Sequence, residues 1–263
     1  MENKKTEIFE FLKGIIGSLI FLTKIPLPWI NVLESEINIS RAFWAFPIIG
    51  MVFGMISGVT TIIFHLMGAP VFISVLLGIF CLILISGAIH EHALLSFTEG
   101  LLKGNSPDEK IQFMRESEIS LSGILIIFFI VMLKFATLVS LMHANVWHAF
   151  SGIFCSVIVG KSMIVFLKYL SVKEDEQDIA SFEDRTEIII LSIALGLALF
   201  SLLVMVPFLV AIIGFVLCVI LSFIFKIIFE KVLGKITGHV LGAVAIISEV
   251  LFLLVFAILY GIN

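Results

Sequence analysis

Histidine, carboxylate and arginine side chains crowd into residues 86–123, SGAIHEHALLSFTEGLLKGNSPDEKIQFMRESEISLSG, within a chain that is otherwise almost wholly apolar. If the first part of this stretch is helical, His92, Ser96 and Glu99 stand at i, i+4 and i+7 on one face, where an imidazole, a hydroxyl and a carboxylate can meet one ligand. His90 and Glu91 precede them, and Arg115, Glu116, Ser117 and Glu118 follow at the edge of the next apolar run. Carboxylates so grouped can hold a hard divalent cation or move a proton, and a guanidinium can grip a phosphate through two parallel hydrogen bonds. Each residue also has a plainer reading. Histidines at a membrane boundary bond to backbone or water, an acidic loop is simply solvated, and an arginine at a span end is an orientation anchor.

Local signals place elements under these residues. SPDE at 106–109 reads as a helix start near 107, with Ser106 as cap, Pro107 at the first helical position and Glu109 completing a capping box. Lys134 and Glu249 fall inside apolar runs. An unpaired charge at the bilayer centre costs roughly 2.5 kcal/mol or more on insertion scales, so both should face a bundle interior. They can pair with each other, although their depths in the sequence match only roughly. Lys161 lies nearer the charged end of its run and can snorkel to the surface. Cys81, Cys155 and Cys218 sit in apolar runs without CxxC spacing and read as small buried residues. Asp175, Glu176, Asp178, Glu183 and Asp184 form a diffuse acidic loop with no ligand spacing, read as solvated.

The elements that must carry these residues are membrane helices. Hydrophobic residues make up 60% of the chain and charged ones 14%, and the mean hydropathy of +1.22 is too high for a soluble domain. Apolar runs of about 20 residues, enough to cross about 30 Å of hydrocarbon, occur at 42–66, 70–89, 119–142, 147–168, 187–206, 208–229 and 239–260. An eighth stretch, 8–30, is interrupted by Lys13 and Lys24 and by PLP at 26–28, and reads as a re-entrant or interfacial helix. The expected fold is all-α: one integral membrane domain over 1–263 with about seven transmembrane helices. Apart from Lys134 and Lys161, the other fourteen lysines and arginines fall before residue 42 or within 103–115, 168–185 and 226–235. The connections near 67–69, 143–146 and 206–207 carry none, so the positive-inside rule puts the charged loops, including 89–118, in the cytoplasm. A net charge of −4 gives no footprint for nucleic acid, and no small-residue cleavage site follows 8–22. No fixed-period repeat or inverted transporter-type repeat is visible.

GAIHEHALLSFTEG at 87–100 resembles the motif G-A-x-H-x-D-G-x-A-D-x-x-D-G of the adenosylcobinamide-GDP ribazoletransferases, the cobalamin-5′-phosphate synthases. Other segments are similar to the family's in the same order. FLTKIPLP at 21–28 resembles FLTRIPLP, FPIIGMVFG at 46–54 resembles FPLVGLVLG, and MRESEISLSG at 114–123 resembles MRDSRIGAFG. GKITGHVLGA at 234–243, with Glu249 following, resembles GRxTGDxLGA and its trailing glutamate. His92, Ser96, Glu99, Glu116, Glu118 and His239 stand where the motifs carry other residues, aspartate in every case but Glu118, which replaces arginine.

The resemblance implies a Mg²⁺-dependent phosphoryl transfer. The hydroxyl of α-ribazole, or of its 5′-phosphate, attacks the corrin-linked phosphate of adenosylcobinamide-GDP and expels GMP. It implies His90, Glu91, Glu99 and Glu116 as catalytic residues. Arg115, Ser117, Lys24 and His239 would contact substrate, and Glu99, Glu116 and His92 would face the metal. Mg²⁺ prefers hard oxygen ligands, so His92 and Ser96 should weaken its binding and favour Mn²⁺, unless Glu91, Glu116 and Glu118 take over as ligands. The implied location is the bacterial inner membrane, with the bilayer and the two substrates as partners and a homo-oligomer left open. Two alternatives remain: a family-derived protein that has lost catalysis and serves as a binding or scaffold subunit, and a small-solute carrier using His92, His239 and Glu249 as a polar path. Polarity gathered at one face disfavours the carrier.

Overall fold

In the computed structural model, residues 2–24, 42–116, 119–171 and 187–261 are described, with side chains from residue 11 onward in the first segment. These residues form ten α-helices: α1 (Glu2–Leu22), α2 (Phe46–Leu66), α3 (Val71–Ser86), α4 (Ile89–Lys103), α5 (Pro107–Glu116), α6 (Leu121–Ala144), α7 (Val146–Leu170), α8 (Ile188–Met205), α9 (Phe208–Leu233) and α10 (Gly238–Tyr260). No β-strand occurs among them. Six helices are long and apolar enough to cross a membrane: α2 with its preceding 3-10 turn, α6, α7, α8, α9 and α10. α3 and α4 together form an apolar pair bent by 83° at their joint, which has the form of a broken span or a re-entrant loop.

Two boundaries differ from the sequence expectation. The helix expected at 8–30 begins at Glu2 and stops at Leu22, before the PLP segment, which lies outside the described residues. Its apolar part, Phe11–Leu22, is about 18 Å long at 1.5 Å per residue, well short of the hydrocarbon thickness. It docks instead beside the start of α2: Ser18 Oγ donates to Ala42 O at 2.7 Å, and Phe11 packs on Trp44 with ring centroids 4.9 Å apart. The run expected to cross at 70–89 ends at Ser86. Gly87 (φ 64°) and Ala88 (φ 54°) both turn left-handed, and their N–H groups donate to Leu84 O and Ile83 O. This paired 5→2 and 6→1 bonding is a Schellman motif, which caps the carbonyls of α3 and releases the chain in a new direction as α4.

The bundle is built around α7. In its most apolar window 89% of residues are buried, against 22–33% for α6, α8 and α9, whose outer faces are exposed apolar surface. Lipid tails are as apolar as leucine, so close helix approach depends on small residues rather than on a hydrophobic driving force. Gly50, Gly54 and Gly58 of α2 lie against α7; a Cβ at Gly54 would come within 2.8 Å of Phe154 Cα. Gly160 of α7 makes room on the other side for Glu249 of α10. α4 is seated on α10, where Gly242 leaves space for Ala93, and also packs on α5 and α6.

Candidate functional site

The two ends of α4 carry two different polar arrangements. At its first turn His90 is 3% exposed, and its Nε2 has no hydrogen-bond partner. Glu91 Oε2 is likewise buried without one. Glu91 and Lys134 are the polar members of a pocket otherwise lined by isoleucine, leucine and valine from α3, α4, α6 and α10. Lys134 Nζ lies 2.5 Å from Glu249 Oε2, and Lys161 Nζ lies 3.2 Å from Glu249 Oε1. His90 is within electrostatic reach of all three. The Lys134–Glu249 pair therefore forms. Lys161 does not snorkel: it is 2% exposed and contacts the other oxygen of the same carboxylate, with Glu91 the second acid within electrostatic reach of both lysines.

At the last turn of α4, Glu99 is fully buried. Its Oε1 accepts from Ser120 N at 3.0 Å and from Ser120 Oγ at 2.5 Å, and its Oε2 lies 3.3 Å from Lys103 Nζ. Ser120 is the N-cap of α6 and itself accepts from Gly123 N at 3.3 Å. Sequence reasoning passed over Ser120, although a serine three residues before Gly123 and just ahead of an apolar run is a capping signal.

Other implied site residues are spread around α4. His92 is exposed, with the exposed Lys24 electrostatically close, and Ser96 is buried. Glu116 is exposed and accepts from Gln112 Nε2 at 2.7 Å; Arg115 is exposed beside it, and Ser117 and Glu118 lie outside the described residues. The expected start of α5 holds: Glu109 N donates to Ser106 Oγ at 3.3 Å, while Glu109 Oε2 reaches back to Asn105 N at 2.9 Å. His239 is half-buried in the first turn of α10. His92, Glu99 and Glu116 are not brought into one ligand group, and no cluster of three or more His, Cys, Asp or Glu suited to a metal occurs among the described residues.

The segments themselves do converge. Thr23 Oγ1 donates to Ile85 O at 2.5 Å, and Gly87 lacks the Cβ that would collide with Lys24, so the FLTK segment abuts the α3–α4 joint. Thr237, the N-cap of α10, donates to Met114 Sδ at 3.9 Å, joining the KITGH segment to the end of α5. Met114 is fully buried and fills the space beside Gly100 of α4.

A family model described as cobalamin-5-phosphate synthase matches residues 14–257. The adenosylcobinamide-GDP ribazoletransferase of Escherichia coli (strain K12) is 28% identical over 161 residues, 60% of this chain and 64% of that protein. The protein of the same name from Shewanella denitrificans is 26% identical over 162 residues, 60% of this chain and 61% of its own length. The chain thus spans less than two thirds of the curated relatives it matches. No solved structure matches it.

Proposed function

The chain belongs to the cobalamin-5-phosphate synthase family, and we propose that it joins α-ribazole, or its 5′-phosphate, to adenosylcobinamide-GDP with release of GMP. One observation carries this reading: the FLTK, AIHEH, MRE and KITGH segments, far apart in sequence, gather around α4. The reaction forms a bond from the nucleoside hydroxyl oxygen to phosphorus and breaks the bond from phosphorus to the oxygen that leaves with GMP. A hydroxyl proton must be taken up, and negative charge must be stabilised on the transferred and departing groups. His90 and Glu91 are the polar pair we assign to the reacting end. Lys24, Arg115 and His239 are assigned to the diphosphate, with the cytoplasm as the side of approach and the bacterial inner membrane as the location.

The family resemblance implies a divalent cation, but the described residues do not assemble a ligand set for one. Among the described residues no three ligands meet, Glu99 is engaged by Ser120 and Lys103, and Glu116 is turned to Gln112. The same observation favours a second reading, a family member that binds these substrates without turning them over.

Release of GMP from adenosylcobinamide-GDP, followed with purified protein in liposomes and with α-ribazole or its phosphate as acceptor, separates the two. We expect acceptor-dependent GMP release that falls by at least about tenfold in Arg115→Ala, about 1.4 kcal/mol of transition-state stabilisation. Binding of adenosylcobinamide-GDP without GMP release supports the second reading, and no binding overturns both.

A further inference from the structure

We infer that Glu99 is a helix-capping residue that joins α4 to α6, and that its carboxylate is thereby withdrawn from cation ligation. The inference goes beyond the proposed reaction and stands whether or not that reaction runs. The N-terminus of α6 presents N–H groups with no partner inside the helix and the positive end of its dipole. Ser120 caps it by accepting from Gly123 N, and then passes its own N–H and O–H to a single oxygen of Glu99. A side chain at Gly123 would overlap that oxygen, so the glycine admits the carboxylate against the first turn of α6. The other oxygen faces Lys103, one turn along α4. A divalent cation needs lone pairs directed at it and several such ligands together. Here one oxygen is spent on two donors, the other faces an ammonium, and the side chain is fully buried.

The residue's length is part of the device. A glutamate reaches across from α4 to Ser120, whereas an aspartate is one methylene short. Aspartate is nevertheless an equally hard oxygen ligand, so Glu99→Asp separates a cap from a metal site where Glu99→Gln cannot.

The test uses full-length protein in detergent micelles or liposomes, with melting temperature and Mn²⁺ binding (free Mn²⁺ followed by electron paramagnetic resonance) as readouts, neither of which depends on turnover. We expect Glu99→Gln, Glu99→Asp and Ser120→Ala each to lower the melting temperature by several degrees. Glu99→Gln combined with Ser120→Ala should lower it by less than the sum of the two single changes, because the two side chains share one hydrogen bond while Ser120 alone caps Gly123 N. Bound Mn²⁺ should be the same in wild type and Glu99→Gln. The inference is overturned if wild type binds Mn²⁺ and Glu99→Asp retains that binding while Glu99→Gln loses it, or if Ser120→Ala melts like wild type. Should Glu99→Gln not fold, Ser120→Ala and Glu99→Asp decide the matter alone.

Discussion

Glu249 lies at the centre of a buried charge cluster, since its carboxylate, 1% exposed, contacts two lysines that are themselves buried. Breaking a buried pair by removing one partner typically costs about 3–5 kcal/mol, most of it from the charge left behind. Glu249→Gln strands two ammonium groups, so we expect a loss of about 3 kcal/mol or more in reversible unfolding. Adding Lys134→Met to that background should restore part of it, because one of the stranded charges is then gone. Equal stability of the single and double variants would mean that Lys134 finds another partner when Glu249 is neutralised. Gly160 belongs to the same device, since a Cβ there would strike the Glu249 side chain.

At the scale of the element, the joint between α3 and α4 is the feature on which the site depends. The 83° bend turns α4 across the bundle, so that its first turn faces the Lys134–Glu249–Lys161 group and its last turn faces Ser120. Both joint residues have positive φ, and for an L-residue that costs roughly 1–2 kcal/mol. Gly87→Val meets this penalty and also drives a side chain into Lys24, so we expect a loss of more than about 2 kcal/mol by thermal or denaturant unfolding. Ala88→Gly removes backbone strain but gains unfolded-state entropy, two effects of comparable size, and should stay within about 1 kcal/mol of wild type. If Gly87→Val unfolds like wild type, the left-handed turn does not fix the direction of α4.

Across the whole molecule, connectivity sorts the helix ends into two groups. The α2–α3, α6–α7 and α8–α9 connections lie at one end and carry no lysine or arginine. The α4–α5 region, with Lys103, Asp108, Glu109, Lys110, Arg115 and Glu116, and the α9–α10 connection, with Lys235, lie at the other. If that end is cytoplasmic, a cysteine at the exposed Asn105 should react with a membrane-impermeant maleimide in inverted vesicles and not in intact cells. Labelling from outside intact cells would invert the topology and remove the cytosolic route for a nucleotide substrate.

Hydropathy by itself placed six of the seven expected crossings within a few residues of helices long and apolar enough to span a membrane, because in lipid each helix must satisfy its own backbone and needs a fixed apolar length; the seventh, 70–89, became the first arm of the bent α3–α4 pair. The SPDE helix start and the burial of Lys134 and Glu249 were legible for the same kind of reason: a cap is local, and a charge in hydrocarbon has few options. The partnership of Lys161 was not, since its depth allowed either the surface or the interior and only the placement of α10 against α7 chose between them. Nor was the fate of Glu99 legible. Periodicity put it on a face with His92 and Ser96, but the 83° turn and the approach of Ser120 depend on residues far apart in the chain. Sequence determines which side chains are available at a helix face; which donor reaches them first is decided by how the helices pack.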